Sequence, residues 1–160
     1  MKNLKKLLVA GAIVATTSMS ASNIGVQVGY DNIDFGDISD SGASIAMINS
    51  KSHKGFAYEL GYARGDILAI TKFKGIYNWK LSDKFYAGAN LGVHGINFVK
   101  NESYNTSSFI GYTLGLQGKY AINKNNSIDL SYASGTASDN DTGLVSEDLS
   151  IASVSYSYRF

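Results

Sequence analysis

The sequence predicts an all-β chain: eight antiparallel strands that run up and down and close into a transmembrane barrel, preceded by a cleaved signal peptide. Three observations carry this prediction. Residues 1–22 have the layout of an export signal. The remaining residues alternate apolar and polar side chains with period two in eight successive runs. The connections between those runs are unequal, long ones falling at one end of the meander and short ones at the other. Composition agrees: the chain has 17 Gly and no Pro. Proline removes a ladder donor, so its absence suits a chain that is nearly all paired strand.

At the start, Lys2, Lys5 and Lys6 precede a short apolar run from Leu7 to Ala15, and small residues from Ser18 to Ser22 follow. This is the three-part layout of a secretory signal. Cleavage after Ser20 or after Ser22 leaves Ser at both small-residue positions. A membrane anchor is the rival reading, but the run falls short of the ~20 apolar residues that span a bilayer. The expected organisation is therefore a signal peptide at 1–22 and a single barrel domain at 23–160. Of the 14 basic residues three leave with the signal and none of the 13 acidic ones does, so 11 remain for a net charge of −2. That balance gives no electrostatic footprint for nucleic acid. The absence of Cys excludes a disulfide, a thiolate site and a lipoprotein anchor.

The strands follow in order. "NIGVQVGY" sets Ile24, Val26, Val28 and Tyr30 against Gly25, Gln27 and Gly29, and "GASIAMINSK" is a second strand. "FAYELGY" sets Phe56, Tyr58, Leu60 and Tyr62 against Ala57, Glu59 and Gly61. "AITKFKGIYNWKL" sets Thr71, Phe73, Tyr77 and Trp79 against Lys72, Lys74 and Asn78. "FYAGANLGVHG" sets Phe85, Leu91 and Val93 against Gly88, Asn90, Gly92 and His94. "IGYTLGLQGKYAI" sets Tyr112, Leu114, Leu116 and Tyr120 against Thr113, Gln117 and Lys119. "SIDLSYA" sets Ile128, Leu130 and Tyr132 against Asp129 and Ser131, and "SVSYSYRF" sets Tyr156, Tyr158 and Phe160 against Ser155 and Ser157.

The first, fifth and seventh connections, "DNIDFGDISDS", "VKNESYNTS" and "SGTASDNDTGLVSED", are long and polar, whereas "RGD" and the even connections are short. Outer-membrane barrels have this asymmetry: short periplasmic turns and longer external loops. A secreted β-sandwich also alternates apolar and polar faces. The non-apolar face separates the two, since it is rich in Gly, Ser, Ala and Asn. Small residues fit the narrow interior of an eight-stranded barrel, while the outer face of a soluble sandwich carries more long Lys and Glu chains. Trp79, Phe85, Tyr120, Tyr156 and Tyr158 fall near the short-turn end and form the expected aromatic girdle. Tyr30, Tyr62, Tyr112 and Tyr132 fall nearer the long-loop end. Two such belts mark the two interfaces of a bilayer.

On its signal peptide, its eight alternating strands, the "LSDKFYAGANLG" hairpin and the terminal "YSYRF", the chain resembles the small OmpA/OmpX-type outer-membrane barrels, the opacity-protein-like or porin-like family. The resemblance covers the whole of the chain after the signal. It implies residence in the bacterial outer membrane, in contact with its lipid. It also implies that Tyr156, Tyr158 and Phe160 form a C-terminal signal read by the barrel-insertion machinery. Because this family includes structural barrels, adhesins, serum-resistance proteins and lipid-modifying enzymes, fold alone does not assign the role.

The interior holds the sharpest expectation. If Gly65 and Asp66 form the tip of the third hairpin, Glu59 faces Lys72. If "SDK" is a three-residue turn, Lys72 also faces His94. Glu59, Lys72 and His94 then form an interior charged cluster, more readily an ion-paired plug than a proton-linked or catalytic group, since buried charges must be paired. An enzyme acting on lipid A needs a base beside a hydroxyl nucleophile. The deacylase pattern resembles His-x-Ser-Asn, but Tyr132 and Gly135 flank Ser134 here, and tyrosine is a poor base near neutrality. "Arg64-Gly65-Asp66" spells an adhesion tripeptide and equally an ordinary hairpin turn. The acids of the long loops match no EF-hand and read as solvated polar loops. No cofactor, metal or catalytic residue is expected. The leading expectation is a structural or surface-interaction role, with host or surface ligands met through the external loops. A narrow pore and a lipid A-modifying enzyme are the alternatives.

Overall fold

The computed structural model describes residues 23–99, 108–139 and 146–160. The proposed signal segment and the middle of the two longest connections lie outside the described residues. Eight strands form one closed antiparallel barrel: β1 (Ile24–Phe35), β2 (Ile38–Ser50), β3 (Gly55–Arg64), β4 (Leu68–Lys80), β5 (Phe85–Phe98), β6 (Ser108–Ala121), β7 (Asn126–Asp139) and β8 (Ser146–Arg159). Each strand pairs with its neighbours in sequence, and β8 pairs back onto β1 with Tyr158 opposite Val26. Closure leaves no edge with unpaired backbone groups, the condition a sheet must meet in lipid.

Period two sorts the side chains to the two faces. Val28, Tyr30, Leu60, Leu91, Leu114, Leu116, Leu130 and Val154 are exposed on the outside, while Asp31, Glu59, Lys72, Lys74, Asp129 and Arg159 are buried inside. The molecule is apolar without and charged within, the reverse of a soluble domain.

Two of the loops expected to be long are mostly strand. The stretch read as the first loop continues β1 and β2 to a two-residue turn at Gly36 and Asp37, with Phe35 opposite Ile38. Gly36 has φ of +55°, a conformation that favours glycine at the first central position of such a turn. The seventh connection likewise becomes paired strand as far as Ser138 opposite Ser146. In both stretches the outward residues are polar, because the strands have passed the lipid-facing band, so the amphipathic signal fades while the pairing persists. The three even turns, at residues 51–54, 81–84 and 122–125, are short as expected.

The register of the third hairpin also departs from expectation. Arg64 pairs with Ala69, which places Lys72 opposite Gly61 and Lys74 opposite Glu59. The turn is longer than a Gly65-Asp66 tip because Asp40, on the neighbouring β2, sits beneath it. The Asp40 carboxylate accepts the backbone N–H groups of Asp66 (3.2 Å), Ile67 (2.9 Å) and Leu68 (2.7 Å). A slip of two residues keeps every side chain on its face, so the interior set is unchanged and only its pairing moves.

Candidate functional site

Three layers fill the barrel. At the loop end, Ile33, Phe35, Ala63, Leu68, Ile70, Ile96, Ala137, Leu149 and Ile151 form a dry core. Phe35, Phe98 and Phe109 meet there, with Phe35 and Phe109 edge to face at 4.9 Å. Sequence reading missed this plug because Ile33 and Phe35 lay in the supposed first loop. The signal was present: odd-numbered residues from Gly25 onward keep one phase through Phe35.

The middle layer is charged. Lys72 Nζ lies 2.5 Å from Asp31 Oδ2 and 3.9 Å from Glu59 Oε1, and Lys74 Nζ lies 3.1 Å from the same Glu59 oxygen. All four side chains are almost wholly buried. Ser44 donates to Asp31 at 3.1 Å. Of the predicted trio, Lys72 and His94 face each other across β4 and β5 as expected. The near partner of Glu59 is Lys74 rather than Lys72, and Asp31, absent from the predicted cluster, is the near partner of Lys72. Among the described residues His94 joins no carboxylate; its Nε2 lies 2.8 Å from Thr113 Oγ1. Gly92 makes room for that contact, since a Cβ there would come within 2.5 Å of His94 Nε2. The cavity among these groups measures about 20 Å³, space for roughly one water molecule.

The third layer closes the turn end. Lys119 pairs with Asp129 at 3.0 Å, and Ser127 and Ser157 donate to the other Asp129 oxygen. Arg159 Nη2 lies 2.6 Å from His53 Nε2, the nitrogen that also lies 2.8 Å from the Asn123 carbonyl, and donates to the Lys124 carbonyl (2.6 Å), so the last strand is fastened to two turns. Burial holds His53 below the usual histidine pKa; the Asn123 carbonyl opposes this, while the charges of Arg159 and Lys119 reinforce it.

Outside, Trp79, Phe85, Tyr120, Tyr156 and Tyr158 are exposed around the turn end. Phe56 and Tyr77 belong to the same belt, since Tyr77 contacts Phe56 at 4.7 Å and Trp79 at 5.2 Å. Phe85 meets Tyr120 at 5.0 Å, and Tyr158 meets Phe160 at 5.2 Å. The Phe160 backbone N–H donates to the Ile24 carbonyl at 3.0 Å while its ring stays exposed.

Ser134 lies on the outer face with Tyr132 beside it, whereas His94 is buried inside the barrel and His53 sits at the opposite end. No imidazole is near enough to activate it. Among the described residues, no group of three His, Cys, Asp or Glu side chains could hold a metal.

No protein-family model matches the sequence, and neither does any curated protein. Solved structures do match. Neisserial surface protein A (NspA) superposes with a TM-score of 0.63 at 17% identity, over 88% of this chain and 98% of that one. Ail, the attachment invasion locus protein of Yersinia pestis, gives 0.54 at 12% identity, over 87% and 99%. The outer membrane protein OprG from Pseudomonas aeruginosa gives 0.50 at 13% identity, over 87% and 96%. The chain has the fold of the small eight-stranded outer-membrane barrels.

Proposed function

We propose that the chain is exported by residues 1–22 and resides in a bacterial outer membrane as a sealed, non-catalytic barrel with a structural or surface-interaction role. The observation that carries this is the inverted distribution of side chains: a closed barrel with a lipid-compatible outer band and an ion-paired interior. A contiguous apolar band of this size on a soluble protein would drive aggregation. Surface contacts are then made by the extended β1–β2 and β7–β8 hairpins and the connections that follow β5 and β7. The solved barrels of like fold include Ail, the attachment invasion locus protein of Yersinia pestis, which fits such a role.

Two observations count against the alternatives. The phenylalanine plug at one end and the Arg159–His53 fastening at the other occupy the interior at both ends, which counts against a pore. Ser134 has no imidazole near it, which counts against a His-activated lipid-modifying hydrolase. The test is fractionation of cells that express the full chain. The protein should appear in purified outer membranes, shortened at its start, with heat-modifiable gel mobility. Recovery as a soluble periplasmic protein would overturn the proposal.

A further inference from the structure

The outer wall at the loop end is corrugated on one side only. The strand registers place Tyr132 opposite Ala152, Ala152 opposite Asn32, Tyr30 opposite Ala43, and Ile45 opposite Tyr62. Across β7, β8, β1, β2 and β3 the rings of Tyr132, Tyr30 and Tyr62 stand on alternate strands, and the strands between them carry Ala152 and Val154 on β8 and Ala43 and Ile45 on β2, with Val154 opposite Tyr30. The three rings are exposed ridges, and Ala152 and Ala43 are the low points of floors that Val154 and Ile45 continue. Ridges on alternate strands stand roughly 9–10 Å apart, the width for an acyl chain to lie between them. The two troughs measure about 570 Å³ and 590 Å³ and share Tyr30 as their common wall. On the opposite wall, Thr71, Val93 and Tyr112 show no such alternation.

The upper rim is polar. Arg64 sits opposite Ala43 at the head of the β1–β3 trough, exposed and without an ion pair among the described residues. Asp66 lies on the same rim. The Tyr30 hydroxyl and Ser41 Oγ are hydrogen bonded at 2.9 Å on the central ridge, and Asn32 borders the second trough. A guanidinium beside neutral hydroxyl and amide groups suits a phosphate carried on a sugar.

We propose that this face binds one phosphorylated glycolipid of the lipid A class. Its acyl chains would lie in the troughs on both sides of Tyr30, its phosphate on Arg64 and its sugar hydroxyls against Ser41 and Asn32. Two troughs sharing one ridge fit a headgroup that bears several chains, and the polar groups fit sugar better than glycerol. The inference rests on the outer-membrane reading with the loop end outward.

The mature chain is refolded into phosphatidylcholine nanodiscs doped with equal amounts of lipid A and phosphatidylglycerol, then extracted into mild detergent. Lipid that stays with the protein is measured by mass spectrometry. Lipid A should be retained about fivefold over either phospholipid. Arg64→Gln should lower that retention about fivefold, to the level of the phospholipids, through the loss of a charged hydrogen bond. Ala43→Leu and Ala152→Leu fill the floors without placing polar atoms in lipid, and each should lower retention several-fold. Asp66→Asn, which removes a like charge, should maintain or raise it. Each variant is first shown to fold by heat-modifiable mobility. Equal retention of lipid A and phosphatidylglycerol would overturn the glycolipid assignment, and indifference to the two leucine variants would overturn the troughs. Cell fractionation reads the outer-membrane location separately, so failure there is distinguishable from failure of lipid retention.

Discussion

Asp31, Lys72, Glu59 and Lys74 form a run of alternating charge through the barrel, and their distances say which pairs are coupled. Glu59 lies nearer Lys74 than Lys72 by 3.1 Å against 3.9 Å. A double-mutant cycle should therefore give a Glu59–Lys74 coupling of ~1–3 kcal/mol and a smaller Glu59–Lys72 term. Glu59→Gln alone should cost ~3–5 kcal/mol in urea unfolding, because Lys74 is left charged and underpaired in a nearly waterless interior. A dominant Glu59–Lys72 coupling would refute the register. His53 gives a pH prediction. Its pKa is held below the ordinary 6.5, first by burial, so the unfolded chain takes up the proton more readily. The stability His53 contributes is then complete above pH ~6.5 and is lost as pH falls below that value. Urea midpoints compared at pH 7.5 and pH 5 should fall further for the natural chain than for His53→Gln. At this scale the sequence disclosed face but not partner. Period two put Glu59, Lys72 and His94 inside; nothing local to them showed that Asp31 would reach Lys72 from the far side of the barrel.

The strands themselves were legible where one face meets lipid and obscure where neither does. β4 and β6 were bounded almost to the residue, because apolar and polar positions contrast along their whole length. The alternation of β7 fades at Ala133 yet the strand runs to Asp139, since Ser134, Thr136 and Ser138 offer no contrast to Gly135 and Ala137. The β3–β4 hairpin failed for a different reason: its turn is shaped by Asp40, which is remote in sequence. Although burial raises the Asp40 pKa, the hydrogen bonds from Leu68, Ile67, Ser41 and Asp66 outweigh it and leave the carboxyl more acidic than usual. The turn should therefore stay fastened at neutral pH and loosen only below the ordinary carboxylate range. Amide exchange of Asp66, Ile67 and Leu68 measured in micelles should be slow at pH 6. Asp40→Ala should speed it and cost about 2 kcal/mol, the value of hydrogen bonds to a charged acceptor. Unchanged exchange would show that the turn holds itself. The outward face of β6 has its own test. Leu114 is 68% exposed and Thr113 is buried inside. Leu114→Arg should destabilise folding in lipid by ~2–4 kcal/mol if it sits near the midplane, whereas Arg at Ser39, on the β1–β2 hairpin beyond the apolar band, should be tolerated. Equal tolerance at the two sites, measured by urea titration in vesicles, would sink the assignment of this face to lipid.

For the molecule as a whole, closure is the decisive event, and it depends on the last residues of the chain. Closure pairs β8 with β1, and the last contacts along that seam are made by Arg159 and Phe160. Arg159 fastens the strand to the His53 and Lys124 turns, and the Phe160 N–H caps the Ile24 carbonyl. The Phe160 ring takes no part in that fastening: it is 67% exposed and touches Tyr158 on the outer surface. Deleting Phe160 therefore removes one backbone bond and one ring at a wet interface, which should cost only ~1–3 kcal/mol of stability. We expect a much larger loss in cells, on the proposal that Tyr156, Tyr158 and Phe160 are read by the insertion machinery before the barrel closes. Alternate aromatic residues on one face of an unpaired strand are a surface that exists before folding, whereas the interior ion pairs exist only after it. The deletion variant should refold in detergent with normal heat-modifiable mobility, yet reach the outer membrane at a small fraction of the level of the natural chain. Phe160→Tyr, which keeps the ring and the backbone bond, should restore delivery. Normal outer-membrane levels of the deletion variant would show that Phe160 is one more ring of the interfacial girdle and carries no assembly signal.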